Sequence, residues 1–261
     1  VSGAAAIHPT AIVDPGARLG AGTVVGAYSV IGPRVVIGEG CQIGPHVVIE
    51  GPTRIGDRCR FYPFACVGAD PQDLKYHGEE THLEVGNDNV FREGVTVHRG
   101  TAGGGGTTRL GSDNLLMAQT HVAHDCQVGS RVIFANAATL AGHVTVEDGA
   151  TVGAFSGVHQ FCRVGRHAYI GGYSVITQDA LPYVLTVGNR AKSFGINVIG
   201  LERRNFTPGA IAALKHAYRV LFRSRLTLAA ACAQLEAEVG AQPDVRVLVE
   251  FIQRSERGVI R

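Results

Sequence analysis

What the 261-residue chain lacks narrows its class before any motif is considered. Charge of one sign is not in excess: 24 Lys+Arg face 22 Asp+Glu for a formal net charge of +2. No Lys/Arg block of the kind that grips a nucleic-acid backbone occurs, which excludes nucleic acid as the expected partner. No run of 18 apolar residues exists, so no transmembrane helix is predicted. The opening VSGAAAIHPTAIV lacks the charged-then-apolar order of a secretory signal. Cys41, Cys59, Cys66, Cys126, Cys162 and Cys232 include no CxxC pair. They read as reduced, small hydrophobic side chains of a cytoplasmic protein. Glycine is the one excess: there are 35, without collagen's period of three, in a chain too aliphatic to be disordered.

What is there is a period of six. Ile7, Val13, Leu19, Val25, Ile31, Ile37, Ile43, Ile49, Ile55, Phe61 and Val67 fall six apart without exception. The register resumes at Val85, Phe91 and Val97, and again from Leu110 through Val122, Leu140 and Val158 to Ile176. That makes 26 aliphatic or aromatic positions with no polar intruder. The following position is usually glycine, as at Gly20, Gly26, Gly38 and Gly44. Six fits neither a helix nor an alternating strand. It fits a short strand plus a tight turn, repeated as a parallel β-helix in which three units close a triangular coil of 18 residues. The aliphatic side chain points inward, and glycine relieves the turn where φ > 0 or close backbone approach is needed. Coils then stack at ~4.8 Å.

Two interruptions, at about 70–84 and 101–109, are loops thrown out of the prism; long loops on a rigid scaffold tend to carry function. Thirty-two of the 35 glycines precede residue 201, which divides the chain into a β-helix over 1–200 and a helical C-terminal domain over 201–261. In the latter, Thr207-Pro208 is a helix start, with further helices from about 227 and 244. Ten Lys/Arg against six Asp/Glu make this domain net basic.

The 18-residue coil places side chains on common faces. His98, His121, His124, His143 and His159, five of eleven histidines, converge on one corner over four coils. Gly142 lies 18 positions after His124 and so stacks directly on it. Such a column suits general-base catalysis beside a phosphorylated substrate, or a metal site, since imidazole is the commonest zinc ligand.

The strings SDNLLMAQTHVAHDC, NAATLAGHV, GVHQFC, TVHRGT, QDLKY and the closing RSERGVIR narrow the choice. They resemble the UDP-N-acetylglucosamine O-acyltransferases, a hexapeptide-repeat family, and the match runs from Ile7 to Arg261. The resemblance implies a left-handed β-helix assembled as a homotrimer. It implies transfer of a 3-hydroxyacyl group from acyl carrier protein to the 3-hydroxyl of UDP-N-acetylglucosamine, the first step of lipid A biosynthesis, without a cofactor or metal. By motif, His124 is the general base, Asp125 orients it and the Gly142 N–H meets the thioester oxyanion. His121, His143, His159 and Gln160, with Gln72, Asp73 and Lys75 of the first loop, are the implied substrate contacts. Asn197, Arg203 and Arg204 are implied at the nucleotide end, and Tyr169 and Gly172 at the end of the acyl chain. Arg219, Arg223 and Arg225 are candidates for docking the acidic carrier. The chain departs from the family at Ile199, where a glutamate is common. The competing reading is a hexapeptide-repeat zinc enzyme of the carbonic anhydrase type, although its histidine spacing differs and it leaves Gly142 and QDLKY without a role.

Overall fold

A computed structural model describes residues 3–239 and 242–261. Each hexapeptide contributes a strand as short as two residues, such as Val24–Val25 or Val30–Ile31, and then turns. Every third strand pairs in parallel: Val24 with Gln42, Val30 with Val48 and Arg18 with Val36. The result is a parallel β-helix of three sheets with eleven, nine and eight strands, here called the first, second and third sheets. Residue i lies over i+18 except where the two loops stretch the coil, so that Arg60 pairs with Val90 and Val90 with Leu115.

The inward aliphatics build one continuous core, with Val25, Ile31, Leu116, Leu140 and Ile170 almost fully buried. In the first coil Ile7 is 48% exposed, because no coil among the described residues lies over it. The repeat glycine and the left-handed turn residue are different positions. A Cβ at Gly26 would come within 2.7 Å of the Gly44 carbonyl carbon, so this glycine answers to close coil stacking. The positive φ falls two positions on, where Tyr28, at φ 60, adopts it without being glycine.

Both loops are shorter than the periodicity implied. His82–Val85 and Thr107–Leu110 extend outward and pair with each other over four positions, taking residues from each loop into the third sheet.

After the last coil an antiparallel pair, Val184–Val187 with Lys192–Ile196, continues the first sheet. Four helices follow: α1 (Val198–Glu202), α2 (Pro208–Arg223), α3 (Leu228–Val239) and α4 (Pro243–Gln253). The Thr207 hydroxyl caps α2 by accepting from the Ala210 N–H at 3.2 Å. Ile211, Leu214, Tyr218 and Leu221 of α2 pack with Leu181 and Tyr183 of the final coil and with Leu248 and Phe251 of α4. The C-terminal segment returns to the solenoid, where the Ile260 N–H donates to the Asp179 carbonyl and the Ser255 hydroxyl to the Asp179 carboxylate.

Candidate active site

The corner between the second and third sheets gathers most of the polar side chains singled out by the sequence. His124 and Asp125 turn it between His121–Val122 and Gln127–Val128. One coil on, His143 turns it between Thr139–Leu140 and Thr145–Val146. Both loops leave the same corner, one between Cys66–Ala69 and His82–Val85, the other between Thr96–His98 and Thr107–Leu110.

Neighbouring side chains on a strand point apart, yet His124 and Asp125 meet. Asp125 sits in the left-handed region at φ 61, and its Oδ2 lies 2.8 Å from His124 Nδ1. The carboxylate is completely buried and would be costly without partners. The Thr101 N–H donates to Oδ1 at 2.8 Å and the Thr101 hydroxyl to Oδ2 at 2.6 Å. The Asp125 N–H in turn donates to the Thr108 hydroxyl at 2.7 Å. A carboxylate only accepts, so in the neutral ring His124 Nδ1 carries the proton and Nε2 keeps its lone pair. That Nε2 faces Gly142, where an added Cβ would fall 2.7 Å from it. The Gly142 N–H has no acceptor among the described residues.

His143 stands perpendicular to His124, ring centroids 5.1 Å apart, and stacks flat on Phe161 at 4.5 Å. Its Nε2 is 3.8 Å from Asp125 Oδ2. Burial lowers its pKa, opposed by the charges of Asp125 and of Asp73, which the first loop brings to this corner. His98 and His121 form a second edge-to-face pair at 5.0 Å, with His121 Nδ1 2.8 Å from the Thr96 hydroxyl. Burial and the neighbouring imidazoles push His98 down to about 4 and lower His121 as well. These rings are therefore neutral at neutral pH. His159 and Gln160 lie exposed on the next coil, and Gln72 and Lys75 are exposed on the first loop.

The remaining candidates are elsewhere. Asn197, Arg203, Arg204 and Tyr169 line a cavity of about 570 Å³ against the first sheet, and Ile199 lines it too, 65% exposed. Gly172 turns the corner between the first and second sheets, after Tyr169–Ile170 and before Val175–Ile176. In a triangular prism the first sheet is the side opposite the histidine corner, so one chain does not bring this cavity to its own His124. A groove of about 670 Å³ over the third sheet, between Arg54, Arg109 and Arg166, contains none of the histidines.

Thr96, Thr101, Thr108 and Phe161 were not singled out by sequence. A weak signal existed for Thr101, because one glycine of the run that follows it, Gly104, is a packing requirement. A side chain at Gly104 would overlap the Asp125 carboxylate. His124, Asp125 and His143 also place ligand-type atoms within 4.8 Å of one another. Asp125 Oδ2 already faces the Thr101 hydroxyl and His124 Nδ1, and a cation there would displace both. With those partners in place, the arrangement can hold His124 as an oriented base.

Known proteins match this chain along nearly its full length. The profile described as UDP-N-acetylglucosamine O-acyltransferase, domain 2, matches residues 179–260, and the bacterial transferase hexapeptide profile matches 34–69 and 143–178. The structure is similar to that of LpxA from Acinetobacter baumannii, with 45% identity, a TM-score of 0.95, and 98% of this chain and 99% of that one covered. It is similar to the UDP-N-acetylglucosamine O-acyltransferase of Moraxella catarrhalis at 42% identity and TM-score 0.95, covering 98% and 99%. The Arabidopsis UDP-N-acetylglucosamine acyltransferase matches at 35% identity and TM-score 0.86, covering 98% and 100%. With the hexapeptide repeats and the C-terminal domain both matched, and solved relatives 35–45% identical along nearly the full chain, the protein belongs to the UDP-N-acetylglucosamine O-acyltransferase family.

Proposed function

We propose that this enzyme of the first step of lipid A biosynthesis moves a 3-hydroxyacyl group from acyl carrier protein to the glucosamine 3-hydroxyl of UDP-N-acetylglucosamine, with His124 as general base. The observation that carries the reading is His124 itself, its Nδ1 on the buried Asp125 carboxylate and its Nε2 beside Gly142. A sugar hydroxyl is a poor nucleophile at neutral pH. His124 Nε2 takes its proton as the oxygen attacks the thioester carbonyl carbon. The Gly142 N–H meets the oxyanion that develops. The C–S bond then breaks, the new ester keeps the acyl group, and the imidazolium returns its proton to the departing thiolate. Asp125 stabilises the transient imidazolium and fixes the tautomer.

His121, His143, His159 and Gln160 line the sugar and pyrophosphate or the acyl path, and Gln72, Asp73 and Lys75 of the first loop add substrate contacts; Asp73, close enough for its charge to act on His143, supports this. Asn197, Arg203 and Arg204 take the nucleotide, and Tyr169 and Gly172 bound the acyl chain. Because their cavity faces away from His124 of the same chain, a neighbouring copy must complete the site, which supports a homotrimer. Leu74, fully exposed at the tip of the first loop, and Tyr173, 72% exposed, are apolar surface for such neighbours. Arg219, Arg223 and Arg225 are exposed on and after α2 and present positive charge to the carrier. No described helix is long and apolar enough to cross a membrane. All six cysteines are free thiols, which fits work in the reducing cytoplasm.

The test is incubation with UDP-N-acetylglucosamine and a panel of hydroxyacyl carrier proteins, read by mass. The expected product is the sugar nucleotide gaining one hydroxyacyl group, with no added metal required. Absence of acylated sugar nucleotide from every donor contradicts the reading.

A further inference from the structure

The loop that carries Gln72, Asp73 and Lys75 is braced internally only by local bonds. The Lys75 N–H donates to Asp73 Oδ1 at 3.0 Å, and the Tyr76 hydroxyl to the Glu79 carbonyl at 3.0 Å. Arg34 of the solenoid lies 3.7 Å from Glu80 near the exit of the loop, both side chains well exposed, whereas the buried solenoid side chain that reaches its entrance is Arg99. Its side chain is 7% exposed and its guanidinium donates to the Gly68 carbonyl and to the Asp70 carboxylate. It also lies 3.3 Å from the Tyr76 hydroxyl, and the Arg99 N–H donates to the Ala69 carbonyl at 3.0 Å. One cation thus grips both the entrance and the middle of the loop.

Its position on the coil explains why this matters. The register pairs Thr96 with His121 and Val97 with Val122, which sets Arg99 one coil before His124. Two residues on, Thr101 holds the Asp125 carboxylate. We propose that Arg99 is a positioning residue that clamps the 70–81 loop and so holds Asp73 and, bonded to it through its N–H, the neighbouring Lys75. The charge of Asp73 reaches His143. A guanidinium suits the task because its planar fork reaches a carbonyl, a carboxylate and a hydroxyl at once, which a lysine ammonium on a flexible stem does not. Asp70 is 66% exposed on its side chain, so the pair does not exist to neutralise a buried acid. The catalytic consequence rests on the function proposed above; the clamp itself does not.

The test uses Arg99→Lys together with Asp70→Asn and Tyr76→Phe, which each remove one grip while leaving the solenoid core intact. If the loop presents substrate contacts, KM for UDP-N-acetylglucosamine rises roughly tenfold in Arg99→Lys and less in the other two, with kcat little changed. Trypsin cleavage after the exposed Lys75 accelerates by a similar factor relative to cuts elsewhere. Unchanged KM and unchanged cleavage in folded variants overturn the proposal, as does a loss of kcat at constant KM, which would assign Arg99 to the His124–Asp125 pair instead. Should Arg99→Lys fail to fold, the two milder variants decide by the same criteria. The cleavage readout needs no turnover. A wild-type protein inactive on this sugar nucleotide therefore overturns the proposed function while the clamp is still judged by trypsin.

Discussion

Asp125 and Gly142 owe their positions to opposite backbone properties. Asp125 takes up a left-handed φ of 61 that turns its carboxylate back onto its neighbour. Gly142 has no side chain because His124 occupies the space, with a Cβ there falling 2.5 Å from Cε1 and 2.7 Å from Nε2. Gly142→Ala should therefore leave the coil folded, push the imidazole off its hydrogen bond to Asp125 and lower kcat by roughly tenfold or more. Steady-state kinetics beside a thermal melt checks this; an alanine variant with wild-type kcat would show that the ring need not stay where it lies. The stacking of His124 under Gly142 was legible in sequence, because an 18-residue period converts directly into neighbours. Thr101 was not, since its contact with Asp125 crosses a loop whose path no periodicity dictates.

Single strands of two residues cannot hold themselves together, and the elements persist because each corner bonds to the next coil. Inside one corner a column of small polar side chains does this. The Thr23 hydroxyl donates to the Gly38 carbonyl and accepts from the Cys41 N–H. The Cys41 and Cys59 thiols face the carbonyls of Gly56 and Gly86. Asn89 accepts from the Asn114 N–H, and Asn114 donates to the Gly129 carbonyl while accepting from the Val132 N–H at 2.8 Å. Asn114→Ala strips partners from two main-chain groups in the core and should cost about 2–4 kcal/mol, seen as a lower midpoint in urea with the fold unchanged. A midpoint equal to wild type would mean that water enters the corner and replaces the amide. The period of six was enough to read the solenoid, its inward residues and the histidine corner. The pairing of His82–Val85 with Thr107–Leu110 was hidden because both segments lie inside breaks of the repeat. The short helix α1 was missed because Val198–Glu202 is too brief to show a helical period.

At the scale of the whole molecule, buried imidazoles tie stability to pH. His98 and His167 are held at about 4 by burial and by neighbouring positive charge, against an ordinary value of 6.5. Between those values the unfolded chain binds protons that the folded chain refuses, so stability falls as pH drops from about 6.5 to about 4 and this loss levels off below. Each contributes a loss on the order of 3 kcal/mol at most. His98→Asn should flatten the fall in melting temperature over that window, and an unaltered slope would exclude His98 as a source. Assembly belongs to the same scale. Sedimentation should show three copies of the 27.5 kDa chain, and a stable, fully active monomer would refute the shared site. The proposed chemistry comes down to one nitrogen in that assembly. His124→Ala, measured at saturating sugar nucleotide and acyl donor with the oligomer intact, should lose about 10²–10⁴-fold in kcat with little change in KM. A loss below about tenfold would contradict His124 as the base and move the proton transfer to another ring of the column, His143 first.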